Sequence, residues 1–130
     1  MGAKNFGVGI AVKNNVEAVE FYKKVFGLEL GFFEMFPENH PNYGDYQHAV
    51  LMKDGKEIFA VASQSHDFNF DAKKQVISFG FYFDNEAELR EAFAILSEDG
   101  FIVNPIGAVP WSPCCADVID KFGISWWISI

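Results

Sequence analysis

Residues 6–27 read FGVGIAVKNNVEAVEFYKKVFG: an apolar strand, an asparagine, then an amphipathic helix closed by Gly27. Residues 77–100 read ISFGFYFDNEAELREAFAILSEDG, the same order again, closed by Gly100. Laid on each other, Gly9 meets Gly80, Asn14 meets Asn85 and Glu17 meets Glu88. A unit written twice implies two similar modules that must pack to bury their apolar faces. Paired modules create a shared concave surface, so function is expected between them.

Working outward, the strand from Phe6 to Val12 is apolar on both faces apart from its glycines, as in a sheet covered on both sides. Asn14 followed by Glu17 is a capping-box pattern, and Val16, Val19, Tyr22 and Phe26 mark the buried stripe of the first helix. LELGFFEMF reads as a second strand, and PENHPNYGDYQ is too rich in Pro, Asn and Gly for regular structure. HAVLM and KEIFAVAS are strands joined at Lys53-Asp54-Gly55, a strong hairpin signal. SQSHDFNFDAKKQ links the modules. VISFGFYF is the next strand; Asn85 with Glu88 caps the second helix, and Leu89, Phe93 and Leu96 form its stripe. FIVNPIGAV carries Pro105, which predicts an edge position or a bulge. CADVID and ISWWISI make the last hairpin, turning at Lys121-Phe122-Gly123. The expectation is an α+β fold of two βαβββ modules forming a cupped mixed sheet with helices outside. The 130 residues form one domain, with module one at about 1–63, a linker at 64–75 and module two at about 76–130.

Composition removes several classes of function. A net charge of −8 argues against nucleic acid, which demands clustered Lys and Arg, and against anionic membrane surfaces. There is no apolar run of ~18 residues, so no transmembrane helix is expected. Lys4 is followed by no long apolar core, so no secretory signal is expected either. Cys114 and Cys115 are adjacent, which disfavours an ordinary structural disulfide and suggests a reducing cytoplasm. The 15 Phe, 3 Trp and 4 Tyr exceed what a small core requires. They either make a Phe-rich core or, in part, line a pocket for an apolar or planar ligand.

A twofold βαβββ pattern in a chain of this length resembles the vicinal oxygen chelate superfamily, which holds glyoxalase I, extradiol dioxygenases and bleomycin-resistance proteins. EAVEFYKKVFGLEL is similar to that family's first helix and second strand. QHAVLMKDG before an apolar strand, and Trp111 upstream of DKFGISWWISI, resemble its PhnB-like branch, sometimes labelled 3-demethylubiquinone methyltransferase-like. The resemblance implies a glyoxalase/bleomycin resistance-like fold. It also implies, for the superfamily's enzymes, a divalent metal held by His or Glu on the inner strand faces. Those positions fall here on Val8 and Phe79, or on Gly7 and Ser78 with a one-residue slip, and the closing Glu position falls on Trp127. Valine and phenylalanine offer no lone pair and tryptophan only an N–H donor. No metal and no cofactor are therefore expected.

Three histidines remain. His40 and His66 lie in polar connecting segments and are expected in solvent. His48 opens a strand and matches a histidine often seen there in the PhnB-like branch; it either faces the cup as hydrogen-bond donor or proton carrier, or bonds backbone at the strand end. Alternation puts Cys114 and Cys115 on opposite faces, and with no cation or helix N-terminus nearby they read as small buried hydrophobes. Ser112-Pro113 stands where the resembling pattern has Gly after the Trp. Trp126 and Trp127 also go to opposite faces, and Trp127 holds the register of the missing Glu. It either walls the cup, suited to stacking on a planar ligand, or joins the core. The expected ligand-binding set is thus His48, Trp111, Trp127, Phe79, Ser78 and Val8. No phosphate loop, no GxSxG and no Gly-rich strand–turn–helix for S-adenosylmethionine is present. The leading expectation is a metal-independent small-molecule binding protein of the glyoxalase/bleomycin-resistance type with an aromatic pocket between the modules, acting as a homodimer. The alternatives are a divalent-metal-dependent lyase, isomerase or dioxygenase, and a dimerising interaction module.

Overall fold

The computed structural model describes residues 2–130 and divides into two units, one ending at Phe68 and one spanning Asn69–Ile130. The first unit runs β1 (Gly9–Val12), α1 (Asn15–Phe26), β2 (Glu29–Met35), β3 (Tyr46–Lys53) and β4 (Lys56–Ser63). The second runs β5 (Phe79–Tyr82), α2 (Glu86–Ser97), β6 (Phe101–Val109), β7 (Ser112–Ile119) and β8 (Ser125–Ser129), preceded by a 3₁₀ turn at Ala72–Lys74. The sheet orders are β1-β4-β3-β2 and β5-β8-β7-β6, the same topology twice. In each sheet the first strand pairs parallel with the last, and the other pairings are antiparallel. One crossover followed by hairpins makes each sheet mixed.

Each unit buries one face of its sheet under its helix. In β1, Ile10 and Val12 are buried while Gly9 and Ala11 are exposed, so the strand is covered on one side rather than the two that its apolar composition suggests. It is also shorter than its apolar run, and Phe6 is 90% exposed. α1 packs on β3 and β4, where Tyr22 meets the Phe59 ring edge-on at 5.6 Å. The stripe of α1 is Ala18, Val19, Tyr22, Val25 and Phe26, with Val16 turned outward. In the second unit Leu89, Ala92 and Leu96 of α2 are buried, as are Val118, Trp126 and Ile128 of the sheet; Phe93 is half-buried.

The two helix starts differ, although their sequences match. Asn85 is extended, and its Oδ1 accepts from the Glu88 N–H at 2.9 Å, which is a side-chain cap. Asn14 is left-handed (φ 55°, ψ 49°) and makes no such bond, because a capping side chain needs a β-region backbone to swing over the first turn. Its neighbour Asn15 is buried instead. There Nδ2 donates to the Tyr46 carbonyl at 2.8 Å and Oδ1 accepts from the Tyr46 N–H at 2.9 Å. The closing glycines differ likewise. Gly27 is left-handed (φ 66°), whereas after α2 the left-handed residue is Asp99 (φ 57°). Gly100 is needed for closeness: a Cβ there would lie 2.4 Å from the Ile119 carbonyl oxygen.

Candidate functional site

The site-bearing strands are β6, β7 and β8, and the side chains that matter are set by the pairing register. Asp120 anchors the β7–β8 hairpin. It is 3% exposed; its Oδ1 accepts from the N–H groups of Phe122 (2.9 Å) and Ile124 (3.0 Å), and its Oδ2 from Trp126 Nε1 (2.8 Å). Trp126 is thereby held on the buried face, and alternation sends Trp127 to the other face. There Trp127 stands across from Asp117 in the antiparallel register and beside Gly80 in the parallel one. A Cβ at position 80 would come within 3.3 Å of the Trp127 ring, so glycine is what lets the indole lie over β5. Tyr82 meets the same indole edge-on, with ring centroids 5.5 Å apart.

β6 supplies the opposite wall. Asn104 pairs with Asp117 and Gly107 with Cys115, so β6 carries one residue more than β7 between these pairs, and it bulges. Pro105 lies within that stretch, on the edge strand of the sheet, where its missing N–H costs no ladder bond. The result is a groove of about 360 Å³ lined by the bulged segment, Trp111, Cys115, Asp117 and Trp127. Its walls are largely apolar, which suits a small organic ligand. Its polar side chains are the Asp117 carboxylate and the Asn104 amide, whose Nδ2 donates to Asp117 Oδ2 at 2.9 Å.

The remaining expected site residues are placed unit by unit. Trp111 sits in the β6–β7 turn, 75% exposed, and joins Trp127 in lining the groove. Phe79 does not join them: its ring lies 6.1 Å from that of Trp126, on the face that α2 covers, and alternation gives Trp127's face to Gly80 and Tyr82. Ser78 precedes β5 and is exposed. Val8 precedes β1, half-buried, and its carbonyl accepts from the Ala60 N–H. His48 lies on β3 of the first unit, exposed, paired with Glu34 and Ala62 and 6.2 Å from the Phe32 ring; the groove is built from second-unit residues alone. Asp117 and Asn104 escaped the sequence reading. Counting the hairpin back from Lys121-Phe122-Gly123 would have set Asp117 opposite Trp127.

Cys114 and Cys115 are both buried and free. Burial pushes the Cys114 thiol up, and the neighbouring Glu86, through a hydrogen bond and its charge, pushes the same way. This thiol is an inert core group rather than a nucleophile. The divalent site that the superfamily resemblance implies does not fit these residues. Val8, Phe79 and Trp127 donate nothing to a cation, the alternative register offers only Gly7 and the Ser78 hydroxyl, and among the described residues no group of three His, Cys, Asp or Glu stands together to hold one.

A family model described as 3-demethylubiquinone-9 3-methyltransferase matches residues 10–129. In structure the chain is similar to a PhnB protein from Bacillus cereus, with a TM-score of 0.80 and 26% identity over 97% of this chain and 98% of that one. It is also similar to a possible glyoxalase from Bacillus cereus, with a TM-score of 0.60 and 19% identity over 100% and 99% of the two chains. A third likeness is to the fosfomycin resistance protein FosX from Listeria monocytogenes, with a TM-score of 0.66 and 10% identity over 99% and 93%. The last two show the fold alone. No curated protein matches the chain in sequence.

Proposed function

This chain belongs to the PhnB-like family described as 3-demethylubiquinone-9 3-methyltransferase, and from that premise we propose that it is a small-molecule binding protein of the vicinal oxygen chelate superfamily. Its second half holds a planar, largely apolar ligand against Trp127. The groove beside that indole supports the reading: about 360 Å³ of space, two tryptophans, and apolar walls broken by one carboxylate. Aromatic walls favour offset stacking of flat rings, worth ~0.5–1.5 kcal/mol per ring pair beyond burial. The reading requires no divalent ion, because the positions that hold one in the superfamily's enzymes fall on side chains without lone pairs or, in the alternative register, on Gly7 and the lone hydroxyl of Ser78. The methyl-transfer activity named in the family description is not carried over, since the chain lacks a Gly-rich strand–turn–helix for the methyl donor.

The three indole N–H groups provide the test. Nitrogen-15-labelled protein is titrated with a set of planar heteroaromatic fragments. Fragments should shift the Trp127 indole signal, while Trp126, buried and bonded to Asp120, stays in place as an internal control. Trp127→Leu should abolish the binding. A fragment set that shifts no indole at millimolar concentration, or binding indifferent to Trp127→Leu, would overturn the proposal.

A further inference from the structure

The groove's charge is one-sided. Asp117 contributes a carboxylate, and no Lys, Arg or His lines the walls. The carboxylate is half-buried, and the Asn104 amide that donates to its Oδ2 orients it without neutralising it. Directly across the β7–β8 pairing stands the Trp127 indole, and Trp111 lies at the adjoining turn. A carboxylate set among apolar walls favours a ligand that brings the opposite charge, since desolvating it against a neutral partner costs free energy. Indole faces attract cations through their quadrupole, more strongly as water is excluded. The chain's net charge of −8 adds a long-range field of the same sense.

Resting on the binding role argued above, we propose that this groove selects planar cations: an aromatic or heteroaromatic ring that carries a fixed or protonated positive nitrogen. The ring lies against Trp127 and the nitrogen is directed to Asp117. Planar anions are rejected by the same carboxylate.

The experiment compares two probes of matched shape, 1-methylquinolinium and quinoline, by titration calorimetry at pH 8, where quinoline is neutral. The cation should bind about tenfold more tightly, the ratio expected from one partly desolvated cation–π and carboxylate contact. Asp117→Asn keeps an oxygen acceptor for Asn104 and should narrow the ratio to about twofold. On the unaltered protein, raising the salt concentration should narrow the ratio as well, independently of how any variant folds. A cation that binds no tighter than quinoline, or a preference that survives Asp117→Asn, overturns the charge selectivity and leaves the binding role standing. If neither probe binds and the indole of Trp127 is silent, the binding role falls and the selectivity with it.

Discussion

Asp120→Asn replaces one carboxylate oxygen by an amide and leaves the shape almost unchanged. The native carboxylate accepts two backbone N–H groups on Oδ1 and the Trp126 indole N–H on Oδ2 while 3% exposed. An amide cannot accept on both sides. If its oxygen keeps the two backbone donors, its NH₂ faces the indole N–H, donor against donor. If it flips, the indole is satisfied and the turn loses both bonds. Either way a buried donor loses its partner, at ~1–3 kcal/mol, and the bonds that survive lose their charge assistance. Avoiding the burial of a charge offsets part of this, so the net loss should be about 2–4 kcal/mol. Urea unfolding followed by far-ultraviolet circular dichroism would show it as a midpoint lowered by roughly 1–2 M. Trp126→Phe removes the indole donor, so Asp120→Asn should cost about 1–2 kcal/mol less in that background. An Asn substitution costing under ~0.5 kcal/mol, or additive effects in the cycle, would refute the claim that this carboxylate anchors the hairpin through Trp126.

Gly100→Ala should destabilise by ~1–3 kcal/mol in the same assay, because the new methyl meets the Ile119 and Leu96 carbonyls, whereas Gly9→Ala meets nothing within 4 Å and serves as the neutral control. The Cys114 thiol should resist iodoacetamide in the native state and react after denaturation. With the Cys114 thiol pushed above its ordinary range, its labelling should stay slow as pH rises through values that ionise a free cysteine; rapid native labelling at Cys114 would contradict its placement. Dialysis against EDTA should leave the affinity for planar probes unchanged, and a loss restored by zinc, nickel or manganese would show a divalent ion in the site. Light scattering at micromolar protein should return twice 14.6 kDa, since edge strand β2 exposes Phe32, Phe33 and Met35; a monomer mass removes the twofold dimer.

The repeat was legible because it is written in side-chain periodicity, which single residues carry. The paired strand–helix segments, the Asp54-Gly55 hairpin with both residues at positive φ, and the edge placement of Pro105 all follow from local rules. What misled was decided by neighbours distant in sequence. Asn14 and Asn85 share a local pattern, yet a reciprocal pair of hydrogen bonds between Asn15 and Tyr46, 31 residues away, accompanies a different backbone at the first helix start. Phe79 was placed by homologous position rather than by face, and its ring went with Trp126. Asp117 carries no motif of its own, and its significance lies in what stands across from it in the β7–β8 register, which only a count back from the turn would have shown.

The groove and the hairpin anchor share one determinant. In a strand the side-chain period is two residues, so a slip of one position in β8 would exchange the faces of Trp126 and Trp127. The two rings are identical, but a slip would also carry the buried Ile128 to the other face and bring Ser125 inward with Trp127, so packing already favours the observed register. The Asp120 carboxylate reinforces that choice, because it binds the turn at Phe122 and Ile124 and the Trp126 indole at the same time. Only one register lets a single side chain reach all three donors, and that register sets Trp127 beside Gly80 and across from Asp117. Asp120 lines no part of the groove, yet it helps fix which indole does. At a temperature where Asp120→Asn remains folded, that variant should bind planar probes more weakly than the unaltered chain, with the Trp127 indole signal broadened or displaced before any probe is added. Full affinity with an unmoved Trp127 signal would show that the register is held by something other than this carboxylate.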